Sequence, residues 1–205
     1  MPAKPVLSEA DKIEIKRKLL DLCEHYWTSC GYKKTSIKEL CSGVEISIGT
    51  FYTLYPTKED LFLETILNIQ AKLKRNALDI IEGNPSREGF AHSIKEMLRE
   101  YDSKPILYQF NTPDFQSFVT KLPDEAMALI KLDNIDFFRE AIKAANLKLK
   151  MDELTALGVF SALLATIGVK ETLSATCDFF SVFDFMVDTV TPAVFEKNDS
   201  REERK

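Results

Sequence analysis

An all-helical fold is predicted for this chain by three observations. Only seven of its 205 residues are glycine, too few for the many turns of an all-β or doubly wound protein. Leu, Ile, Lys, Glu and Ala, which favour helices, are frequent. No stretch of four to eight residues alternates apolar and polar side chains as a half-buried strand would. With 45% apolar and 29% charged residues, the chain can bury a core of its own in one or two domains.

The helix signals run in order. Ser8 caps a first helix, with Glu9 and Asp11 favoured in its opening turn by the helix dipole. Ile15, Leu19, Leu22, Cys23, Tyr26, Trp27 and Cys30 then form one apolar stripe at three- and four-residue steps, and Gly31 stops it. Ser36 and Glu39 make a capping box for a second helix that buries Ile37, Leu40, Cys41 and Val44. Ser47 caps a third, very short helix, Ile48 to Thr53. In Pro56-Thr57-Lys58-Glu59-Asp60, Thr57 caps a fourth with Leu61, Phe62, Ile66, Ile69 and Leu73 on one face, and Gly83-Asn84-Pro85 ends it.

Further along, Ser86 opens another helix, while Lys104-Pro105 and Thr112-Pro113 cut short segments. Leu122-Pro123-Asp124 starts a long helix that Asn146 closes, Asp152 opens the next, and Asp178 caps the last. The total is about nine helices. Residues 196–205 hold four basic and four acidic side chains and form a charged tail expected to fray.

Several functions are excluded by what the sequence lacks. The opening MPAKPVLSEADK has no apolar segment of a secretory signal. The most apolar run, Leu154 to Val169, is shorter than a membrane span and reads as a buried helix. Cys23, Cys30, Cys41 and Cys177 show neither metal spacing nor a disulfide framework, and are read as reduced, buried thiols of a cytoplasmic protein. No nucleophile has an oriented base and no glycine-rich phosphate loop follows a strand, so no enzyme, metal or cofactor is expected. His25 reads as a surface or interface residue, and His92 lacks the partners of a metal site.

The segment Gly31 to Leu61 is the most informative. Two short helices with a tight turn between them, followed by a long one, form a helix-turn-helix, in which the first helix braces the second and leaves its outer face free for base edges. Ile46 and Phe51 point inward, while Ser47, Ile48, Thr50 and Thr53 face out. Gly49 lets the backbone approach a groove wall, Tyr52 offers a hydroxyl to a phosphate, and Lys58 pairs with another. Net charge is −5, but the first sixty residues balance nine basic with nine acidic side chains. Attraction to phosphate is therefore local, from Lys33, Lys34, Lys38 and Lys58.

The order Gly31-Tyr32, Thr35-Ser36-Ile37, Leu40-Cys41, Ser47-Ile48-Gly49-Thr50-Phe51-Tyr52, Tyr55, Lys58-Glu59-Asp60-Leu61, with Leu19-Leu20 and Trp27 upstream, resembles the N-terminal domain of the TetR family of transcriptional regulators. The likeness covers roughly residues 10 to 65. It implies an all-α protein with an N-terminal three-helix helix-turn-helix domain, residues 8–57, followed by a helical effector-binding and dimerisation domain, residues 58–195, and the tail. It also implies a cytoplasmic homodimer on a pseudo-palindromic DNA operator, most simply a repressor that a small apolar ligand releases. Two positions depart from the family: Glu45 stands where glycine is usual at the turn, and Leu54 where histidine is common. Positive φ at Glu45 would carry about 1 kcal/mol of strain, and Leu54 removes a polar contact to the DNA backbone.

The expected DNA-binding residues are Lys34, Thr35, Ser36, Ser47, Ile48, Gly49, Thr50, Tyr52, Thr53 and Lys58. Twelve of the fourteen phenylalanines follow residue 80. From them and their neighbours, His92, Arg99, Tyr101, Tyr108, Phe110, Phe115, Phe118, Phe137 and Phe138 are candidates for the effector pocket the family implies, although an ordinary helical core uses aromatics in the same way. Gly158, Ala162, Ala165, Phe179, Phe180 and Phe183, on the two most apolar helices, belong either to the domain core or to a dimer interface, and the resemblance, whose family pairs its last two long helices across a dimer, makes them candidates for the interface. The rival reading is a helical protein-interaction module that keeps this fold without specific DNA binding.

Overall fold

The computed structural model describes residues 7–107, 112–123, 125–126 and 134–196. Among them are nine helices and no strand, as the sequence predicts. They are α1 (Glu9–Cys30), α2 (Ile37–Val44), α3 (Ile48–Leu54), α4 (Lys58–Gly83), α5 (Arg87–Asp102), α6 (Pro113–Val119), α7 (Asn134–Ala144), α8 (Glu153–Ser174) and α9 (Phe179–Val194). A 3-10 turn at Pro105–Leu107 follows α5, and another at Thr166–Val169 interrupts α8. The predicted start at Asp124 and the tail beyond Glu196 lie outside the described residues.

The caps follow the side chains that announce them. Ser8 with Asp11 and Ser36 with Glu39 each complete a reciprocal capping box. Thr57 and Asp60 do the same at α4: the Asp60 N–H donates to the Thr57 hydroxyl at 3.1 Å, and the Thr57 N–H donates back to the Asp60 carboxylate at 2.9 Å. Asn146, at φ 53, ends the segment after α7 in a left-handed conformation.

The chain forms two compact units: Met1–Gln70 with Gln109–Lys131, and Ala71–Tyr108 with Leu132–Lys205. In the first, Leu19, Cys23 and Trp27 of α1 are buried together with Leu40, Phe51, Leu61 and Phe62. The short α6 adds two rings to this core. Trp27 lies 4.7 Å from Phe62 and 5.1 Å from Phe118 between ring centroids, and Phe115 stacks on it at 6.3 Å. Each well-placed aromatic pair contributes about 1 kcal/mol beyond area burial.

The second unit is built around Phe90. Its ring meets Phe160 at 5.0 Å, Phe195 at 4.9 Å and Phe138 at 6.3 Å. Two ion pairs tie α5 to α9 in antiparallel order, Lys95 to Asp188 at 2.7 Å and Arg99 to Asp184 at 2.8 Å. An isolated antiparallel bridge joins Leu149 to Phe195.

Two sequence expectations need correction. The apolar run in α8 does not form a buried helix: only Ala156, Phe160 and Ile167 are buried along it. The helix is apolar all round, and one face suffices to meet the core, so Leu154 is left 69% exposed. Continued through Lys170–Ser174, it is also long and apolar enough to cross a membrane by length and composition alone. The cysteines divide as well. Cys23 and Cys41 are buried, and burial pushes the Cys23 thiol up to about 12, but Cys30 and Cys177 are exposed at helix ends where the core no longer covers them.

Candidate nucleic-acid interface

Helix α2 is short because the chain turns left-handed straight after it. Glu45 adopts φ 60 and ψ 39. The Ile46 N–H reaches back to Cys41 O at 2.9 Å and the Glu45 N–H to Ser42 O at 3.3 Å, the bond pair of a Schellman turn. This turn sets the entry to α3, and the structure has a non-glycine residue in it, as the sequence anticipated.

On α3 the inner anchor is Phe51, fully buried, with Ile46 partly covered beside the turn. The Ser47 hydroxyl accepts the Thr50 N–H at 3.0 Å and caps the helix. Ser47, Ile48, Gly49, Tyr52 and Thr53 are exposed and Thr50 is half-buried. The two large side chains, Ile48 at 48% and Tyr52 at 51% exposure, are four residues apart and so share the open side one turn from each other. Thr53 donates its hydroxyl to Thr50 O at 2.6 Å. One side of a seven-residue helix is thus anchored and the other is open.

The loop before α2 supplies the rest. Lys33, Lys34 and Lys38 are exposed. Ser36 is exposed too, its hydroxyl engaged in the capping box. Thr35 is placed otherwise: it is buried, and its hydroxyl donates to Gly31 O at 2.8 Å. Lys58 is half-buried, its ammonium donating to the Tyr32 carbonyl and lying 4.1 Å from the centre of the Tyr32 ring. Burial holds the Lys58 ammonium below its ordinary value, against the raising influence of Glu59.

Around Tyr32 the structure reveals a polar cluster that the sequence did not announce. The Tyr32 hydroxyl donates to Glu59 and accepts from Lys121 at 2.9 Å, while Lys121 and Glu59 pair at 3.3 Å. Burial, reinforced by the Glu59 carboxylate, pushes the Tyr32 phenol up. The Asp114 carboxylate accepts the N–H groups of both Tyr32, at 2.6 Å, and Lys33, at 2.9 Å. Asp114 lies 82 and 81 residues from Tyr32 and Lys33, and Lys121 lies 89 residues from Tyr32, so local pattern carries no trace of them.

The aromatic candidates for an effector pocket are divided between the units. Phe115 and Phe118 belong to the first, packed on Trp27. In the second, Phe138 is buried in the Phe90 cluster, Phe137 is partly covered with Lys74 5.8 Å from its ring, and Tyr101 is largely covered. Arg99 is engaged with Asp184, and His92 is exposed, 4.0 Å from Glu96. Tyr108 and Phe110 lie outside the described residues.

The interface candidates also divide. Gly158, Ala162 and Ala165 are exposed and Phe180 is partly exposed, whereas Phe179 and Phe183 are buried in their own unit. The large exposed apolar side chains on the same two helices are Leu154, Val169, Val182 and Phe185. Leu154 and Val169 extend the small-residue stripe at the same three- and four-residue steps, a spacing from which the sequence could have named them.

Residues 24–65 match the model of the family described as "Bacterial regulatory proteins, tetR family". An uncharacterized HTH-type transcriptional regulator of Bacillus subtilis, YhgD, is 26% identical over 165 residues, 76% of this chain and 83% of the relative. The reduced form of NemR from E. coli superposes with a TM-score of 0.67 at 15% identity, covering 88% of this chain and 98% of NemR. A TetR-family regulator from Pectobacterium atrosepticum gives 0.64 at 14% identity, covering 93% and 99%. The open, anchored α3 lies inside the segment that matches the family model, and the helical fold around it is the one these TetR-family regulators share.

Proposed function

We propose that this protein is a homodimeric repressor that reads a pseudo-palindromic operator with two copies of α3 and leaves it when an apolar small molecule binds. In functional terms, residues 8–57 supply the DNA contacts, 58–195 the effector-binding and dimerising part apart from α6, which completes the core beneath the reader, and 196–205 a charged tail. The observation that carries the reading is the outer face of α3, where Ile48 and Tyr52 stand about half exposed beside Gly49 on a helix anchored only through Phe51. Base-edge contacts fall to Ser47, Ile48, Thr50 and Thr53, and phosphate contacts to Lys34, Ser36, Tyr52 and Lys58. Thr35 drops out of the contact set, because its hydroxyl and its backbone N–H both donate to the Gly31 carbonyl.

Dimerisation is supported by the apolar faces left open on α8 and α9. On α8, Leu154 and Val169 flank the small residues Gly158, Ala162 and Ala165, which permit close helix approach, and on α9 Phe185 is exposed. A second copy covers such a face at no cost in unpaired polar groups, and two readers in a symmetric dimer fit a symmetric site. The effector is assigned to the second unit, near Tyr101 and Phe137, which the unit's core does not bury completely. An effector regulates only by binding unequally to the DNA-competent and DNA-incompetent forms.

Selection on a pool of random duplexes tests the reading. A palindromic consensus is expected. Recovery of no preferred sequence would instead favour the protein-interaction module.

A further inference from the structure

We infer that Asp114 is a positioning residue for DNA binding: its carboxylate sets the loop from Gly31 to Ser36, and through that loop the phosphate-facing lysines. The inference rests on the reading of α3 and its surroundings as a DNA reader. Both carboxylate oxygens are used, one on the Tyr32 N–H at 2.6 Å and the other on the Lys33 N–H at 2.9 Å. Such charge-assisted pairs on two successive amides fix the direction of a peptide as well as its place. The fit is close. Gly31 has φ 87, and a Cβ there would stand 2.9 Å from Asp114 Oδ2.

What the carboxylate holds is functionally placed. Lys33 and Lys34 are the next exposed cations, Ser36 caps α2, and the Tyr32 carbonyl receives the Lys58 ammonium. The Tyr32 side chain is held from the same short segment of chain, by Lys121 on its hydroxyl and by Phe118 5.5 Å from its ring. Residues 113–121 therefore grip the loop at backbone, hydroxyl and ring. In sequence this segment is flanked on both sides by residues of the second unit, and Asp114 is its contact to the loop backbone.

Charge alone predicts the opposite sign for this residue. Removing a carboxylate beside Lys33 and Lys58 leaves the surface more positive, which strengthens attraction to phosphate. Positioning predicts weaker binding, because an asparagine presents one acceptor and one donor where two acceptors are needed. The signs separate the two accounts.

The test uses the full chain and the duplex that the wild-type protein enriches. Asp114→Asn should weaken binding about tenfold, the loss of hydrogen bonds to a charged group, and lower the salt slope by about one unit, with helicity and oligomeric state unchanged. Asp114→Glu keeps two acceptors and should recover part of the affinity; it carries the test if the asparagine variant does not fold. A folded Asp114→Asn protein that binds as tightly as wild type, or tighter, overturns the positioning role and leaves the DNA reading intact. A wild-type protein that enriches no duplex overturns both.

Discussion

The Ser47 hydroxyl accepts the Thr50 N–H at 3.0 Å and lies 2.9 Å from the Thr50 hydroxyl, so the first turn of α3 is tied across its exposed side. Gly49 sits between these two residues, and a Cβ added there would meet nothing nearer than Ser47 Oγ at 3.7 Å. Within the protein, then, nothing requires glycine. Gly49→Ala should leave thermal stability unchanged or raise it by up to about 1 kcal/mol through helix propensity. Affinity for the selected duplex should nevertheless fall at least about tenfold, because the added methyl meets the groove wall. Anisotropy titration beside thermal denaturation measures both, and unimpaired binding would remove close backbone approach from the docking geometry.

Glu45 occupies a left-handed position at φ 60 without any side-chain reason to prefer it. Glu45→Gly should stabilise the protein by about 0.5 kcal/mol, the strain of a Cβ in this conformation less the entropy glycine brings to the unfolded chain. Chemical denaturation reads the shift. A destabilised variant would show that the Glu45 side chain contributes more than its backbone costs.

Lys58 is held inward by the Tyr32 carbonyl while remaining close to the exposed lysines of the loop. Lys58→Met keeps the apolar stem against Tyr32 and Phe62 but removes the charge. Binding to every duplex should weaken alike, and the salt slope should drop by about one unit. If the preference among duplexes changes instead, Lys58 acts on the geometry of α3 and not on phosphate.

Phe183 and Phe185 are two residues apart and differ completely in surroundings, the first fully buried and the second 71% exposed. Phe185→Glu should yield folded monomers in sedimentation equilibrium. Phe183→Glu should destabilise the chain by more than about 4 kcal/mol, since it buries a charge in the core of its unit. An intact dimer in the Phe185 variant would move the interface away from α9.

Local signals were legible in the sequence and long-range partners were not. The Ser8, Ser36 and Ser47 caps, the stripe of α1 and the outward face of α3 all arise within a few residues, where periodicity and capping chemistry act. The direction in which α8 faces was lost because apolar residues surround it, leaving no contrast to mark the buried side. Phe115 and Phe118 read as members of a run of aromatics, but their partner is Trp27. Nothing in an aromatic side chain specifies which distant ring it will meet.

The composition of the first unit bears on how such a reader can be exchanged between proteins. Because Gln109–Lys131 returns to Met1–Gln70, cutting the chain after residue 70 strips Phe115 and Phe118 from Trp27 and exposes a tryptophan that is now 3% accessible. The reader is therefore no cassette to be grafted whole onto a foreign sensor. Recombination at the obvious helix boundary leaves Phe115 and Phe118 behind, and a successful chimera has to inherit α6 from the same parent as α1.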